Sequence, residues 1–385
     1  MRQQLVAIVV ALPLAAQAQV EIVPVGEFQY EHSSNDTPAL DDTFRTDLVR
    51  INAGFESKYL FSRQELFLDA RYGTVNYDEV LTDFGDDEWA VRGGLDWELG
   101  RYLDGLLEGV TEQRVPSVYE GLIEGNTIEA ERRLTAEVNA RLAERWRLET
   151  AAISRSLDTP IVEIEDFGLR ETIYRGALRY LSSSRLSFGA GYERIDGNFR
   201  NAPELATYTQ ETPAGFLQYE DTNVQTVRMR VGRTEREQAD EPEPFEETTG
   251  HASIERVLTA KTSVNAQYNR NINNYFGPDA GAFALVDSWN AGVHWVVTGK
   301  STVYADYGQT RTEFLGDGVG GQVVTGRIDK SSTINLSLTN DTFHWLTSEL
   351  YLRFDDVDSN IDRFTYDGIL VWIRFEMRLL DREPR

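Results

Sequence analysis

VLTAKTSVNAQY, Val257–Tyr268, has a near-copy that begins thirty-nine residues later, VVTGKSTVYADY, Val296–Tyr307. In each copy a short segment with a small residue and a lysine precedes residues in which Val, Ala and Tyr alternate with other side chains. A period of two is typical of a β-strand with one apolar and one polar face. The repeat therefore predicts strand, tight turn, strand. It places Lys261 and Lys300 in the turns, with a binding role for these two lysines as the alternative.

The same alternation runs along the chain and predicts the number of strands. Short turns are expected near residues 61, 101, 144, 183, 222, 260, 299 and 341, spaced by about forty residues. The turn near 222 is inferred from the long gap between 183 and 260, because the strand needed around Ala206–Tyr219 alternates weakly. With a first strand at Ile22–Tyr30 and a last at Ile369–Met377, the turns predict about 18 strands, within a range of 16–18.

The segments opposite the turns are long and acidic, as in EREQADEPEPFEETT, Glu235–Thr249. Outer-membrane barrels have short periplasmic turns and longer extracellular loops. Closure is required because an open sheet edge in lipid leaves backbone groups unpaired. We therefore predict an all-β fold, a closed antiparallel transmembrane β-barrel in the outer membrane of a Gram-negative bacterium. Aromatic side chains near strand ends fit an interfacial girdle: Tyr59, Tyr72, Trp97, Trp146, Tyr180, Tyr192 and Trp289.

Two soluble folds are the alternatives to the membrane barrel. A repeat of about forty residues also occurs in β-propellers, but a propeller blade has four strands in that length. Here each repeat has two strands of roughly ten residues and a loop. A secreted β-sandwich would not bury every apolar face along the chain.

The N-terminus and the bulk composition limit location and partners. MRQQLVAIVVALPLAAQAQ has a basic residue, a short apolar core and Ala16-Gln17-Ala18, which predicts a signal peptide at 1–18 and a single barrel domain at 19–385. The chain has no cysteine, so disulfides and thiolate metal sites are excluded. Its formal charge of −25 argues against nucleic acid as a partner.

If the apolar faces meet lipid, the alternating polar positions face the lumen. An arginine facing lipid at mid-bilayer would cost about 2–4 kcal/mol. Most inward charges are expected to pair across strands and brace the wall. A subset, which includes aromatic rings, provides contacts for a solute or a polymer. The candidates are Arg50, Arg71, Arg92, Arg141, Arg175, Arg179, Arg228, Arg230, Arg353, Arg374, Arg378, Phe67, Tyr304, Tyr351 and Trp372, with Arg147 on the same phase.

Catalysis and metal binding are not indicated. Of the four histidines, His251 and His294 are expected to face the lumen, and His32 and His344 to lie in a loop or turn. No Gly-x-Ser-x-Gly elbow or metal-ligand spacing accompanies them, so we expect no enzyme, no cofactor and no metal site. The acidic segments are expected to be solvated loops, with divalent-cation binding near lipopolysaccharide as the alternative: Asp83–Glu88, Ala239–Glu247 and Asp355–Asn360.

A signal peptide, hairpins of about forty residues, the turn Thr298–Ser301 (TGKS), tyrosine-ended strands and acidic loops together resemble a known family. The chain resembles the EpsL-like outer-membrane β-barrel proteins of bacterial exopolysaccharide biosynthesis operons, in the β-barrel porin group. The resemblance implies a passive conduit for polysaccharide export. The partners it implies are outer-membrane lipid and lipopolysaccharide, the secreted polysaccharide, and periplasmic polysaccharide-export proteins.

Three functions stay open at this point, and each predicts a different lumen. A conduit for an exopolysaccharide should have an open lumen with aromatic rings along its length. A general or substrate-selective porin for small solutes should carry a constricting segment folded inward. A structural barrel or adhesin should have a plugged lumen.

Overall fold

The computed structural model describes residues 19–37, 42–77, 87–114, 129–158, 168–200, 207–221, 224–239, 243–274, 283–315 and 326–379. The expected signal peptide at 1–18 lies outside these ranges. No helix in the described ranges is long and apolar enough to cross a membrane.

Eighteen strands follow one another along the chain, and neighbours in sequence pair antiparallel. Strand β1 also pairs with β18, with Glu27 opposite Glu376, so the sheet closes on itself and the predicted barrel is confirmed. A single 3₁₀ turn, Asp362–Phe364, precedes the last strand. The strands are β1 Gln19–Thr37, β2 Asp42–Phe61, β3 Gln64–Tyr77, β4 Asp87–Leu99, β5 Leu103–Arg114, β6 Glu129–Arg141, β7 Trp146–Asp158, β8 Gly168–Leu181, β9 Leu186–Arg200, β10 Thr207–Asp221, β11 Gln225–Gln238, β12 Phe245–Thr259, β13 Thr262–Asn274, β14 Phe283–Val296, β15 Ser301–Leu315, β16 Ile328–Phe343, β17 Leu346–Ser359 and β18 Tyr366–Arg378.

All eight short connections predicted from the sequence lie at one end of the barrel, which is the periplasmic end. The repeated Thr-x-Lys of the opening motif has a local explanation. The backbone N–H of Lys261 donates to the Thr259 hydroxyl at 3.1 Å, and that of Lys300 donates to the Thr298 hydroxyl at 3.2 Å. Such hydroxyl-to-backbone bonds stabilise tight turns, so the lysines are turn residues.

The outward face carries the apolar half of each strand. Large apolar side chains there are widely exposed, as in Ile51 at 50% and Leu134 at 62%. Such a surface is stable in lipid, because the bilayer covers apolar side chains that water would not. Near the periplasmic turns, Trp146 and Tyr180 lie 4.9 Å apart between ring centroids and belong to the expected girdle.

Several strands are longer than the sequence predicts. Strand β11 runs to Gln238 and β12 starts at Phe245, so most of the segment expected to be a long acidic loop continues the sheet. Likewise, Asp355–Ser359 belongs to β17 and is not a loop. Beyond the hydrocarbon layer both faces of a strand are free to be polar, so the alternation stops while the backbone pairing continues.

Strand β10 explains why its segment alternates poorly. Toward the extracellular end its inward positions include the aromatic Tyr208, while Thr209 and Pro213 point outward. The apolar residues therefore face the lumen here, the reverse of the pattern in the membrane. The sequence rule that assigns apolar side chains to lipid does not apply at this end of the barrel.

Candidate functional site in the lumen

The pairing register places the sequence-predicted lumen residues on the inward phase. Directly paired residues of neighbouring strands share a face, and the inward phase is the one opposite the lipid-exposed apolar side chains. This rule holds for every candidate on every strand involved: Arg50, Arg71, Arg92, Arg141, Arg147, Arg175, Arg179, Arg228, Arg230, Arg353, Arg374, Arg378, Phe67, Tyr304, Tyr351 and Trp372. Their contact with a solute stays a prediction.

Many of these arginines brace the wall. Arg50 donates to Glu88 at 2.7 Å, and Arg71 donates to Glu56 at 3.0 Å. Arg92 bonds Glu108 at 2.6 Å. Partly screened pairs of this kind fix side-chain positions more than they add stability.

The wall from β15 to β18 is built the same way. Arg353 bonds Asp355 at 2.6 Å, and Arg374 bonds Glu349 at 2.6 Å. The rings of Tyr351 and Trp372 stack at 5.0 Å between centroids. Tyr304 lies on this wall too, whereas Phe67 lies on β3 under the Arg92 guanidinium, apart from the other three predicted rings.

The wall from β6 to β8 has a different arrangement of charge. Arg141, Arg147 and Arg179 lie directly opposite one another on three neighbouring strands. Like charges placed side by side repel each other. Arg179 is neutralised by Glu149 at 2.7 Å. Within the described part of the chain, Arg141 and Arg147 make no ion pair, and the Nε of Arg147 is buried without a hydrogen-bond partner.

Arg141 and Arg147 border a cavity of about 550 Å³ in the periplasmic half of the lumen. Its floor carries small side chains, including Ala177, Gly191 and Ala214, which pair in register across β8, β9 and β10. Four acidic residues share the lining, and one of them, Glu193, pairs with Arg175. Glu137 faces the same space. The cavity therefore presents both signs of charge, with Arg141 and Arg147 as guanidinium groups left available.

The extracellular half of the lumen is narrowed by its own wall. Three consecutive residues at the start of β14, Phe283, Ala284 and Leu285, are all buried, at 2%, 0% and 6% exposure. A strand in a simple barrel wall has one face exposed to lipid or water, so burial of successive residues means that both faces are covered. The extracellular ends of β13, β14 and β15 therefore fold into the barrel, and we call them the inward segment: Ile272–Asn274, Phe283–Leu285 and Phe314–Leu315.

The inward segment packs against the opposite wall through an apolar core, the mouth cluster. Phe283 lies 2% exposed in this core together with Tyr208, which is 3% exposed. The remaining members come from strands on both sides of the lumen, so the core joins one wall to the other. They are Leu169 and Phe199, with Leu157, Ile195, Phe245, Ile272 and Leu315 around them.

Polar contacts lock the same junction. The Asn274 amide donates to Glu171 at 2.8 Å and to the Tyr208 hydroxyl at 2.6 Å, and that hydroxyl also donates to Glu171. Glu171 is only 7% exposed. The Arg155 guanidinium lies 3.7 Å from its carboxylate. A buried carboxylate needs such partners, because leaving it unpaired is costly.

Strand positions show how large this deformation is. In a circular barrel of 18 strands, with ~4.8 Å between strands and a tilt of ~40°, strands five positions apart would be separated by about 27 Å across the lumen. Two side chains joined by a hydrogen bond bridge only roughly 10 Å. The contact between Glu171 of β8 and Asn274 of β13 therefore requires the wall itself to bend inward.

An arginine completes the mouth cluster. The Arg236 guanidinium lies 3.8 Å from the ring centroid of Tyr208 and 4.5 Å from that of Phe283. Arg236 is 2% exposed, so these ring contacts form out of reach of bulk water, where a cation and an aromatic face attract each other more strongly. On the other side of the inward segment, Arg327 lies 4.3 Å from the Phe314 ring and 3.4 Å from the Phe364 ring.

The alternation within the membrane does not single out Arg236, Phe283 or Asn274, which contact one another's neighbours at the mouth. Arg236 lies on the same inward face of β11 as Arg228 and Arg230. Its alternation with outward residues, followed to the extracellular end of the strand, is the signal that identifies it. Phe283 and Asn274 carry no such signal. Both lie on the phase that faces outward elsewhere on their strands, and only the bending of those strands turns them into the lumen.

Two of the histidines lie on opposite faces of the barrel wall. His32 lies in β1 and not in a loop, with a ring nitrogen 2.6 Å from Asp47 on the outward face. His251 faces the lumen and contacts the side chain of Asn269. No group of three or more His, Asp or Glu side chains in the described ranges could hold a metal ion.

Comparisons with known proteins agree with this architecture. No protein-family model and no curated protein matches the chain. Among solved structures, OccK9 (OpdG) from Pseudomonas aeruginosa matches with a TM-score of 0.54 at 11% identity, over 93% of this chain and 99% of that one. OccAB2 from Acinetobacter baumannii gives 0.54 at 9% identity, over 93% and 98%. The outer membrane protein OpdK from P. aeruginosa, solved with vanillate, gives 0.53 at 11% identity, over 93% and 99%.

At such low identity the likeness establishes the fold. The chain is an outer-membrane β-barrel protein of a Gram-negative bacterium, with the 18 antiparallel strands described above. Its fold is similar to that of OpdK and the Occ proteins over nearly the whole described chain.

Proposed function

We propose that this protein is a passive outer-membrane channel for small polar solutes, with a constricted extracellular mouth and an arginine contact in the periplasmic half of the lumen. The inward segment is the observation that carries this proposal. A porin for small solutes should carry a constricting segment folded into its lumen. An open lumen was expected of a polymer conduit.

The arginines suggest what part of a solute the channel would contact. Guanidinium groups bind carboxylate and phosphate through two parallel hydrogen bonds. Arg141 and Arg147 have no ion-pair partner among the described residues, and both border the 550 Å³ cavity. An anionic group of a passing solute would therefore contact these two side chains. The OpdK structure solved with vanillate supports the view that a barrel of this fold admits a small molecule.

The polysaccharide-conduit hypothesis has less support than the channel for small solutes. None of the matching structures reported above is described as a polysaccharide exporter, and no family model supports the EpsL-like resemblance. The contact between Glu171 and Asn274 also crosses the space that an extended, hydrated polymer would need.

Single-channel recording in planar bilayers tests the proposal. We expect small carboxylates to block the current, while an acidic polysaccharide of the same charge per residue does not enter. Replacing Arg141→Gln and Arg147→Gln together should weaken the carboxylate block by on the order of tenfold, the value of one charge-assisted hydrogen bond. Arg147→Lys keeps the charge but loses the paired geometry, so it should retain ion selectivity and weaken only the block.

A matched control removes the same charge elsewhere. Arg132→Gln and Arg170→Gln change two outward-facing arginines at the extracellular ends of β6 and β8, and they should leave the block unchanged. Block by the polymer alone would restore the conduit hypothesis. If the unaltered protein conducts no ions in the bilayer, the barrel is plugged and the channel proposal fails.

A further inference from the structure

The outer surface carries one apolar groove with an arginine at its end. The groove has a volume of about 710 Å³ and crosses β12 to β16. Its floor is formed by Ala266 and Ala291, which are direct cross-strand neighbours, and by Ala305 on the next strand. Its rim is formed by larger exposed side chains: Ile254, Val264, Val293, Tyr307, Ile334 and Leu336.

The groove lies in the periplasmic half of the membrane. Along β14, Ala291 and Val293 lie between Trp289 and Trp295, and both tryptophans point outward, at 41% and 48% exposure. Tryptophan prefers the two interfaces of a membrane. Trp295 is next to the end of β14 at a periplasmic turn, so the groove extends from that interface toward mid-bilayer.

Arg256 is the unusual residue of the groove. It lines the groove from β12, three residues before the strand ends, on the outward phase shared with Ile254. No other lysine or arginine of that phase lies in the periplasmic half of a described strand. Within the described residues, Arg256 makes no ion pair and no side-chain hydrogen bond. An arginine facing lipid is tolerated when its head reaches the interface.

We propose that this groove binds a phospholipid of the periplasmic leaflet, with an acyl chain in the groove and the lipid phosphate on Arg256. The apolar side chains of the groove pack against the acyl chain. The Arg256 guanidinium supplies the two parallel hydrogen-bond donors that a phosphate accepts. A second copy of the protein fits less well. A two-fold contact is self-complementary, and the outward residues that line the groove include no acidic side chain that could pair with Arg256 of the other copy.

The test measures phospholipid retained by the purified barrel. Protein extracted from membranes is exchanged into detergent, supplied with palmitoyl-oleoyl phosphatidylglycerol, and analysed by native mass spectrometry. We expect one phospholipid to stay bound to the unaltered protein. Arg256→Gln should lower its affinity about tenfold, as the loss of a charge-assisted bond predicts. Ala291→Phe, which fills the floor of the groove, should lower it independently.

Two controls match these variants in chemistry and differ in place. Arg170→Gln removes an outward arginine at the extracellular end, and Ala190→Phe adds a ring on the exposed outward face of β9. Both should keep the lipid, and resistance of all variants to heat in detergent should show that the barrel is folded. The proposal is overturned if Arg256→Gln and Ala291→Phe both retain as much lipid as the unaltered protein. It is also overturned by a protein dimer that Ala291→Phe dissociates while lipid retention is unchanged, because the groove would then hold a second copy.

Discussion

The two ends of the lumen use the same inward-facing positions for different purposes. At the extracellular end these positions carry large side chains such as Tyr208 and Phe199, which are buried against the inward segment. In the periplasmic half, the corresponding strands carry Ala177 and Gly191, and the space is left to arginine side chains. Alternation constrains the lipid-facing side chains of a barrel but not the inward ones. The size of the inward side chains therefore determines whether the lumen is closed or open at each level.

Charge follows the same division. At the mouth, the buried Glu171 is surrounded by donors from three other strands, and the arginines there bond carboxylates or stack on rings. Lower in the barrel, Arg141 and Arg147 have no counter-charge of their own among the described residues. A cluster whose hydrogen-bond donors and acceptors pair with one another is structural. A cluster with unpaired donors is suited to binding a ligand. Three experiments test this difference between the two ends of the lumen.

Phe283→Ala should have the largest effect, because it removes a fully buried ring from the mouth cluster. A phenylalanine-to-alanine change in a packed core typically costs about 3–5 kcal/mol. We expect the inward segment to release from the opposite wall, which raises the single-channel conductance and lowers the temperature of unfolding in detergent. Phe375→Ala, at a ring 38% exposed on the outward face, is the matched control. Unchanged conductance in Phe283→Ala would mean that the mouth cluster does not narrow the path.

Asn274→Ala should have an intermediate effect. It removes the donor that joins β13 to Glu171 and Tyr208, and leaves the buried carboxylate with one partner fewer. Loss of one such bond costs about 1–3 kcal/mol. We expect more frequent transitions between conductance levels, with the mean conductance below that of Phe283→Ala. Asn271→Ala, whose amide bonds only the exposed Asn273 side chain, should behave like the unaltered protein. The same gating in both variants would contradict a role for the cross-lumen bond.

Ionic strength should have the smallest effect and should act on the periplasmic half alone. Raising the salt from 0.1 M to 1 M shortens the screening length from about 10 Å to about 3 Å. Any preference for anions that arises from Arg141 and Arg147 should then decline, as seen in the reversal potential under a salt gradient. The conductance ratio between Phe283→Ala and the unaltered protein should stay constant, since packing is not screened. A ratio that falls with salt would show that the mouth is held by charge.

Local alternation is sufficient to predict the barrel, its turns and the face of the wall on which each side chain in the membrane lies. Repeats such as Val257–Tyr268 carry this information locally, because lipid strongly favours apolar side chains and the chain reverses direction at each turn. The turn near 222 is predicted from spacing alone, and the chain does reverse there: β10 ends at Asp221 and β11 starts at Gln225, with residues 222 and 223 outside the described ranges. Outside the membrane this constraint ends, so Asp355–Ser359 and both ends of Glu235–Thr249 continue strands where the sequence predicts loops.

The closure of the mouth depends on contacts between strands that are far apart in the sequence. Glu171 and Asn274 are separated by 103 residues and lie on strands that a circular barrel would hold far apart. Phe283 has the outward phase of its strand and yet lies in the core of the lumen. Alternation records which face of a strand is apolar, but it does not record where the strand bends. That bend is set by the fit between walls five strands apart, and no local pattern carries it.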